Sequence, residues 1–323
     1  MKKQMTIGNL NAIFIGEKTK LDLLDRWDEY VRLIFRDGYS YGKRPQFILK
    51  NIKIAKILNS EPAIIGRFVK NTVLKVEQIL KGDKLIPKNE IHESAPSSFF
   101  IFLLRTHVLI FLPENPGAPN ARSFKTFIGK TINRERIKYI RKTNAEKKKE
   151  EKLAVVEANP PVIISYIPVP MMTSLNSQFK NIKKIKRIWV RHFYQNANIN
   201  VQSWIKGDNP ILQALKAPKI DHAITQVEDV EATKDFVVDL AQANNALFKV
   251  EGTGETGSVV ISNEGTQYTN YNIPDYQSYD DVLFVAEKML KVYEHDVHKG
   301  NIPRIPAKND ENKIARVLKN EKK

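Results

Sequence analysis

Residues 97–114 read SSFFIFLLRTHVLIFLPE, and the polar triplet Arg105-Thr106-His107 divides this apolar stretch into two pieces of strand length. The segment therefore predicts a hairpin of two buried strands with its bend at the triplet. Phe99 to Leu112 is the longest apolar run of the chain. It is broken by Arg105 and His107 and is too short to cross a bilayer as a helix, which needs about 20 residues. The run NPGAPN (115–120) then ends the pattern sharply.

Working outward toward the N-terminus, FILKNIKIAKIL and AIIGRFVKNTVLKVEQIL, within Gln46 to Leu80, alternate apolar and polar residues as half-buried strands do. Thr6 to Ile15 predicts a further strand. Lys20 to Phe35 predicts an amphipathic helix, with Leu21, Leu24, Tyr30, Val31 and Ile34 apolar. Gly38 and Gly42, with Tyr39 and Tyr41, mark a turn-rich loop. Toward the C-terminus, Arg122 to Lys152 predicts one helix. Phe124, Phe127, Ile128 and Ile132 share a face, and Arg134, Lys138, Arg141 and Lys142 fall on another. Its closing KKKEEK run (147–152) reads as a linker.

Beyond it, Val162 to Ile167 predicts a strand and Met171 to Asn181 a short helix. Ile182 to Tyr194 fits both periods, but the β-branched and aromatic run IWVRHFY favours a strand from Ile185. Then come a helix (Ala232 to Asn244), a strand (Ala246 to Glu251), a hairpin (Val259 to Ile273) and a helix (Tyr279 to His298), followed by a polar, basic tail (Pro303 to Lys323) that reads as either a short helix or a frayed end. The expectation is an α+β protein with two domains of antiparallel or mixed sheets flanked by helices. Residues 1–152 form the first domain, 153–302 the second and 303–323 the tail.

The chain carries 52 Lys and Arg against 36 Asp and Glu, a net charge of +16 with a pI near 9.6. The excess is concentrated in Arg122 to Lys152 and Lys180 to Arg191, while Asp221 to Glu287 is acidic. Such a bipolar molecule suits a polyanionic partner, of which nucleic acid is the commonest. The candidate binding residues are Lys180, Lys183, Lys184, Lys186, Arg187, Trp189 and Arg191, with Arg122, Lys125, Lys130, Arg134, Lys138, Arg141 and Lys142. Lysine and arginine neutralise phosphate without regard to sequence, and aromatics among them either stack on bases or fill the core.

No cysteine is present. That excludes disulfides, thiolate zinc sites and a cysteine nucleophile, and suits a reducing cytosol. No signal-peptide pattern opens the chain, so a cytoplasmic protein is expected. Gly252-Thr253-Gly254-Glu255-Thr256-Gly257 matches G-x-G-x-x-G, but the strand-like SVVIS follows it where a dinucleotide site needs a helix N-terminus. A hairpin turn is the expected reading. His295 and His298 share a helical face without an evident third ligand. Asp229 to Asp235, and Asp275, Asp280 and Asp281, read as acidic residues at helix starts. No catalytic residue, metal or cofactor is expected.

Three groups of segments carry a family likeness. They are SSFFIFLLRTHVLIF with SFKTFIGKTI; IPVPMMTSL with KKIKRIWVRHFY; and GSVVISNEGTQYTNYNIP with AEKMLKVYE. Together they cover about half the chain, and they resemble the family of phage exclusion proteins typified by lambda Rex A. The resemblance implies an α+β homodimer that binds duplex DNA without sequence preference, senses infection and signals to a membrane effector. Lys183, Lys184, Lys186, Arg187 and Arg191 match that family's Lys-rich strand, and Arg122, Lys125 and Lys130 its helix region. Two other readings remain open: a metal-dependent nuclease, and a module that binds an acidic protein or an anionic membrane surface.

Overall fold

The computed structural model describes residues 2–16, 20–43, 45–193, 211–212, 214–215, 217–244, 246–265, 268–272, 281–305, 307 and 310–320. Tyr194, Asp275, Asp280, the middle of the expected hairpin 259–273 and parts of the tail lie outside them.

Two antiparallel sheets organise the chain. The larger contains β1 (Lys2–Ile15), β2 (Lys20–Asp22), β3 (Ser40–Tyr41), β4 (Gln46–Ile57), β5 (Glu61–Lys81), β6 (Lys84–Ser94), β7 (Ser97–Leu103), β8 (Val108–Pro113) and β9 (Val162–Pro168). The smaller contains β10 (Lys184–Phe193), β11 (Lys219–Thr225), β12 (Ala246–Gly254) and β13 (Gly257–Ser262), in the order β11-β10-β12-β13. A last strand, β14 (Tyr268–Asn272), returns to the larger sheet, whose order is β14-β1-β8-β7-β5-β4-β3; β2 and β9 also pair with β1, and β6 with β5. The helices whose full bounds are described are α1 (Ala121–Thr143), α2 (Lys149–Ala158), α3 (Met172–Lys180), α4 (Val230–Ala243), α5 (Val282–His298) and α6 (Glu311–Asn320). The protein is α+β.

The β7–β8 hairpin explains its own sequence. Phe100, Phe102, Leu109 and Phe111 pack in one cluster with Phe124, Phe127 and Ile128 of α1. Phe99, Ile101, Leu103, Val108 and Ile110 pack in a second cluster with Val285, Met289 and Leu290 of α5. Covered on both faces, the strands have no solvent side to show polar alternation. α3 and α4 cover one face of the smaller sheet, where Leu175, Phe179, Val237 and Leu240 meet Ile188, Val190, Phe248 and Val250.

Four expectations change. Lys20 to Phe35 is not an α-helix but the short β2 followed by 3-10 and π turns over 24–34. The Asp22 carboxylate accepts from the backbone N–H of Leu24 (2.8 Å) and Asp25 (3.1 Å), while Asp25 accepts from Asp22 N–H (2.8 Å). Such local bonds compete with the helical ladder. The basic helix ends at Thr143, and the KKKEEK run enters α2, whose first turn holds Glu150 and Glu151. β13 and β14 are not a hairpin, since β13 pairs with β12 and β14 with β1. The larger sheet thus takes β9 and β14 from beyond residue 152, and the smaller sheet lies between them in sequence. Finally, the tail is not wholly polar surface: α6 buries Ile314 and Val317 in the α1-side cluster.

Ion pairs tie α6 down. Lys313 meets Asp22 (3.1 Å) and Asp25 (2.8 Å), and Arg316 meets Asp28 (3.1 Å). Burial raises the pKa of Asp22, with Asp25 adding to the rise and Lys313 opposing it. Lys313→Ala is expected to lose about 1–2 kcal/mol of stability at neutral pH, the usual cost of stranding a partly buried charge. A carboxyl raised on folding destabilises only where it is ionised, so the deficit should close as pH falls through the carboxylate range. Urea titrations at neutral and acidic pH measure this.

Candidate nucleic-acid interface

The two basic stretches, distant in sequence, meet at one cleft. α1 begins at an Asn120 cap whose side chain accepts from Ser123 N–H (2.9 Å). Its buried stripe, Phe124, Phe127 and Ile128, faces the larger sheet. That rotation puts Arg122 and Lys125 on the flank toward β9 and the smaller sheet. On β10 the residues alternate. Ile188, Val190 and His192 are buried, and Arg187, Trp189, Arg191 and Phe193 lie on the face away from α3 and α4. Between these elements is a cleft of about 480 Å³ lined by Arg122, Lys125, Arg191 and Lys219, with Tyr166, Phe193 and Leu247 as apolar walls.

Two of its four cations are already paired. Arg191 forms a fork with Asp221, Nε at 2.7 Å and Nη2 at 2.8 Å, and its guanidinium lies 4.7 Å from the Trp189 ring centroid. The hydrogen bonds from Arg191 hold the Asp221 carboxyl below the usual carboxylate range. Arg122 pairs with Glu264. Lys125 and Lys219 have no ion-pair partner among the described residues. The Lys125 pKa is lowered, first by burial and then by Arg122 and Lys219. A half-buried cation pressed by two others is poised for an arriving anion.

Arg187, Trp189 and Arg191 continue the strip along the open face of the smaller sheet, where Lys249 is the register partner of Trp189. Arg187 and Lys186 are exposed, and both help lower the pKa of Glu251 after the dominant hydrogen bond from Lys249. Lys184 is exposed at the start of β10. Lys180 and Lys183 stand apart, at a second hollow where Lys183 pairs with Glu255 (2.9 Å). Lys130 is exposed on the opposite flank of α1, lining a cleft with Tyr41 and Lys43. Arg141 and Lys142 are exposed in the last turn of α1, where cations complement the helix dipole.

Two further expected residues also have partners within the protein. Arg134 stacks over Tyr39 and Tyr41 (5.2 and 5.1 Å) and donates to the Tyr39 hydroxyl (2.8 Å) and the Ser40 carbonyl (3.0 Å). Lys138 pairs with Glu135 (2.9 Å). Lys219 was not legible as a site residue, because it opens β11 in a stretch without basic density.

The glycine motif forms the β12–β13 turn. A side chain at Gly254 would collide with the Asn181 carbonyl and one at Gly252 with the Lys184 carbonyl, so the glycines admit the backbone leading into β10. Asp229 and Asp281 are helix caps, accepting from Ala232 N–H (2.9 Å) and Phe284 N–H (3.1 Å). No group of three or more His, Asp or Glu is arranged to hold a metal among the described residues. No described helix is long and apolar enough to cross a membrane.

Lys125 should act against stability and for binding. Lys125→Met is expected to raise stability by about 0.5 kcal/mol, since half-exposure screens most of the electrostatic cost. A lysine pKa lowered on folding costs stability while the folded lysine is protonated, so the gain should hold at neutral pH and fade on raising the pH toward 10.5, the ordinary lysine value. The same change should weaken polyanion binding. Melting curves beside a binding titration measure both.

Comparison with protein-family models, with curated proteins and with solved structures gave no match to the chain.

Proposed function

We propose that the protein is a non-catalytic, sequence-independent nucleic-acid binder that takes duplex DNA along the cleft between α1 and β10. One observation carries the reading: Arg122 and Lys125 from one basic stretch and Arg191 from the other converge with Lys219 on a single concave surface. Phosphate contacts of this kind position a duplex without reading its bases. Asp221 and Glu264 hold two arginines in place until a phosphate displaces them, so the site is preformed and partly neutral when empty. The sequence likeness to phage exclusion proteins supports a cytoplasmic role as a sensor in that defence, working as a homodimer with a membrane effector.

The test is a fluorescence-anisotropy titration with unrelated duplexes at several salt concentrations, with and without magnesium. Near-equal affinities, a steep fall with salt and intact DNA are expected. Failure to bind at low salt would remove the reading and favour an acidic protein or anionic membrane partner. Magnesium-dependent cutting would turn it into a nuclease.

A further inference from the structure

The larger sheet ends at β3, a strand of two residues, and α1 lies alongside that end. Tyr41 and Phe47 are register partners in the β3–β4 pair, so their rings stand on one face. Phe47 is stacked on Phe68, with centroids 5.2 Å apart and planes at 14°, and the Arg134 guanidinium steadies the Tyr41 ring from 5.1 Å. The chain leaves β3 at Gly42 (φ 92°), where a side chain would meet the Pro45 carbonyl. Between this end of the sheet and α1 is a cleft of about 530 Å³, the size of a small-molecule site. Tyr41, Phe47 and Phe127 give it aromatic walls, and Lys43, Arg122 and Lys130 supply three cations.

No carboxylate lines this cleft. That sets it apart from the α1–β10 cleft, which holds Glu264, and from the hollow at Lys183, which holds Glu255. Lys43 and Lys130 are exposed, and of the three cations only Arg122 has an ion-pair partner among the described residues, Glu264. Asn120 already fills the cap of α1, so an anion here is held by side chains.

We infer that the cleft binds a nucleoside phosphate, with the base on the aromatic walls and the phosphate among Lys43, Arg122 and Lys130. Each half of the ligand answers to one half of the lining. A simple anion leaves the rings bare, and an uncharged aromatic molecule leaves the cations unused. A planar base laid on Phe47 extends the Phe68–Phe47 stack, and such stacking tolerates every base. The phosphate relieves the repulsion among three cations that have no acid between them. A free nucleotide and the unpaired terminal nucleotide of a strand present this same chemistry. The site shares Arg122 and Thr126 with the α1–β10 cleft but opens on the other flank of α1, and it stands without the duplex reading.

Isothermal titration calorimetry of the full chain with adenosine monophosphate, and with adenosine and inorganic phosphate as its two halves, tests it. The nucleotide should bind at least about tenfold more tightly than either half. Lys43→Gln with Lys130→Gln should weaken the nucleotide about tenfold or more, the usual worth of charged hydrogen bonds, and leave adenosine unchanged. Phe47→Leu should weaken the nucleotide and adenosine alike by about tenfold, as loss of base stacking does. Lys288→Gln with Lys291→Gln removes the same charge from the exposed side of α5, across the larger sheet, and should change nothing. A second arm compares a blunt duplex with one carrying an unpaired nucleotide at each end. Free nucleotide bound as described assigns a soluble ligand. Without it, a preference for the overhang that Lys43→Gln with Lys130→Gln erases assigns a strand end. Neither kind of binding, or a loss as large in the α5 control as in the cleft variant, overturns the inference. A blunt duplex that fails to bind removes the duplex reading alone, since adenosine monophosphate needs no DNA.

Discussion

Arg122→Gln, Lys125→Gln and Lys219→Gln in one chain should weaken DNA binding about a hundredfold at moderate salt, equally for every duplex. Each phosphate contact contributes a salt slope of about 0.9, so near 0.1 M salt it is worth roughly tenfold in affinity. Three contacts would give several hundredfold. Arg122 must first give up Glu264, however, which trims its share. The slope of log affinity against log salt should flatten by as much as about 2.7. Ala at Lys183, Lys184, Lys186 and Arg187 should do less, because Lys183 is tied to Glu255 and Arg187 sits beside Glu251. If that second variant lost more than the first, the phosphate track would run along β10 rather than through the cleft.

Phe124→Ala should cost about 3–5 kcal/mol, read as a lower urea midpoint with an unchanged slope. The ring is fully buried and lies 4.7 Å from Phe100, 5.3 Å from Phe68 and 5.8 Å from Phe111, centroid to centroid. Those three come from three different strands, so the cavity would open where α1 is fixed to the sheet. Arg122, two residues before the ring, and Lys125, directly after it, line the cleft. DNA binding should therefore fall even at temperatures where the variant remains folded. A midpoint within 1 kcal/mol of the parent would mean that the sheet collapses onto the vacancy and that α1 is held chiefly elsewhere.

What could be read in advance depended on whether a residue's role was set by near neighbours in sequence. The β7–β8 hairpin and the buried stripe of α1 were legible, since both follow from local apolar patterning. The strand β10 emerged from its β-branched and aromatic run. Lys20 to Phe35 carried helical spacing, yet Asp22 and Asp25 diverted the backbone into tighter and wider turns. β13 and β14 looked like a hairpin because hairpins are the usual fate of adjacent strands, and nothing nearby announces that β14 pairs with β1. In the candidate site, the cations were visible as charge. Their meeting was not, and neither were the carboxylates Asp221 and Glu264 that offset two of them. Arg134 looked the same as Arg122 in sequence, and the Tyr39 and Tyr41 rings and the Ser40 carbonyl that hold Arg134 could not be read from it.

β1 bonds to partners drawn from nearly the whole chain: β2, β8, β9 and, through Lys2↔Asn272, β14. On the ribosome this means that β1 emerges long before its pairing is completed by β14. Met5 and Ile7, fully buried in the finished protein, have to wait for α5, some 280 residues later, to cover them. Until then the nascent chain exposes a sticky strand, and closing such long loops is slow. A chain halted before α5 should thus be a customer of chaperones or proteases rather than a smaller working protein.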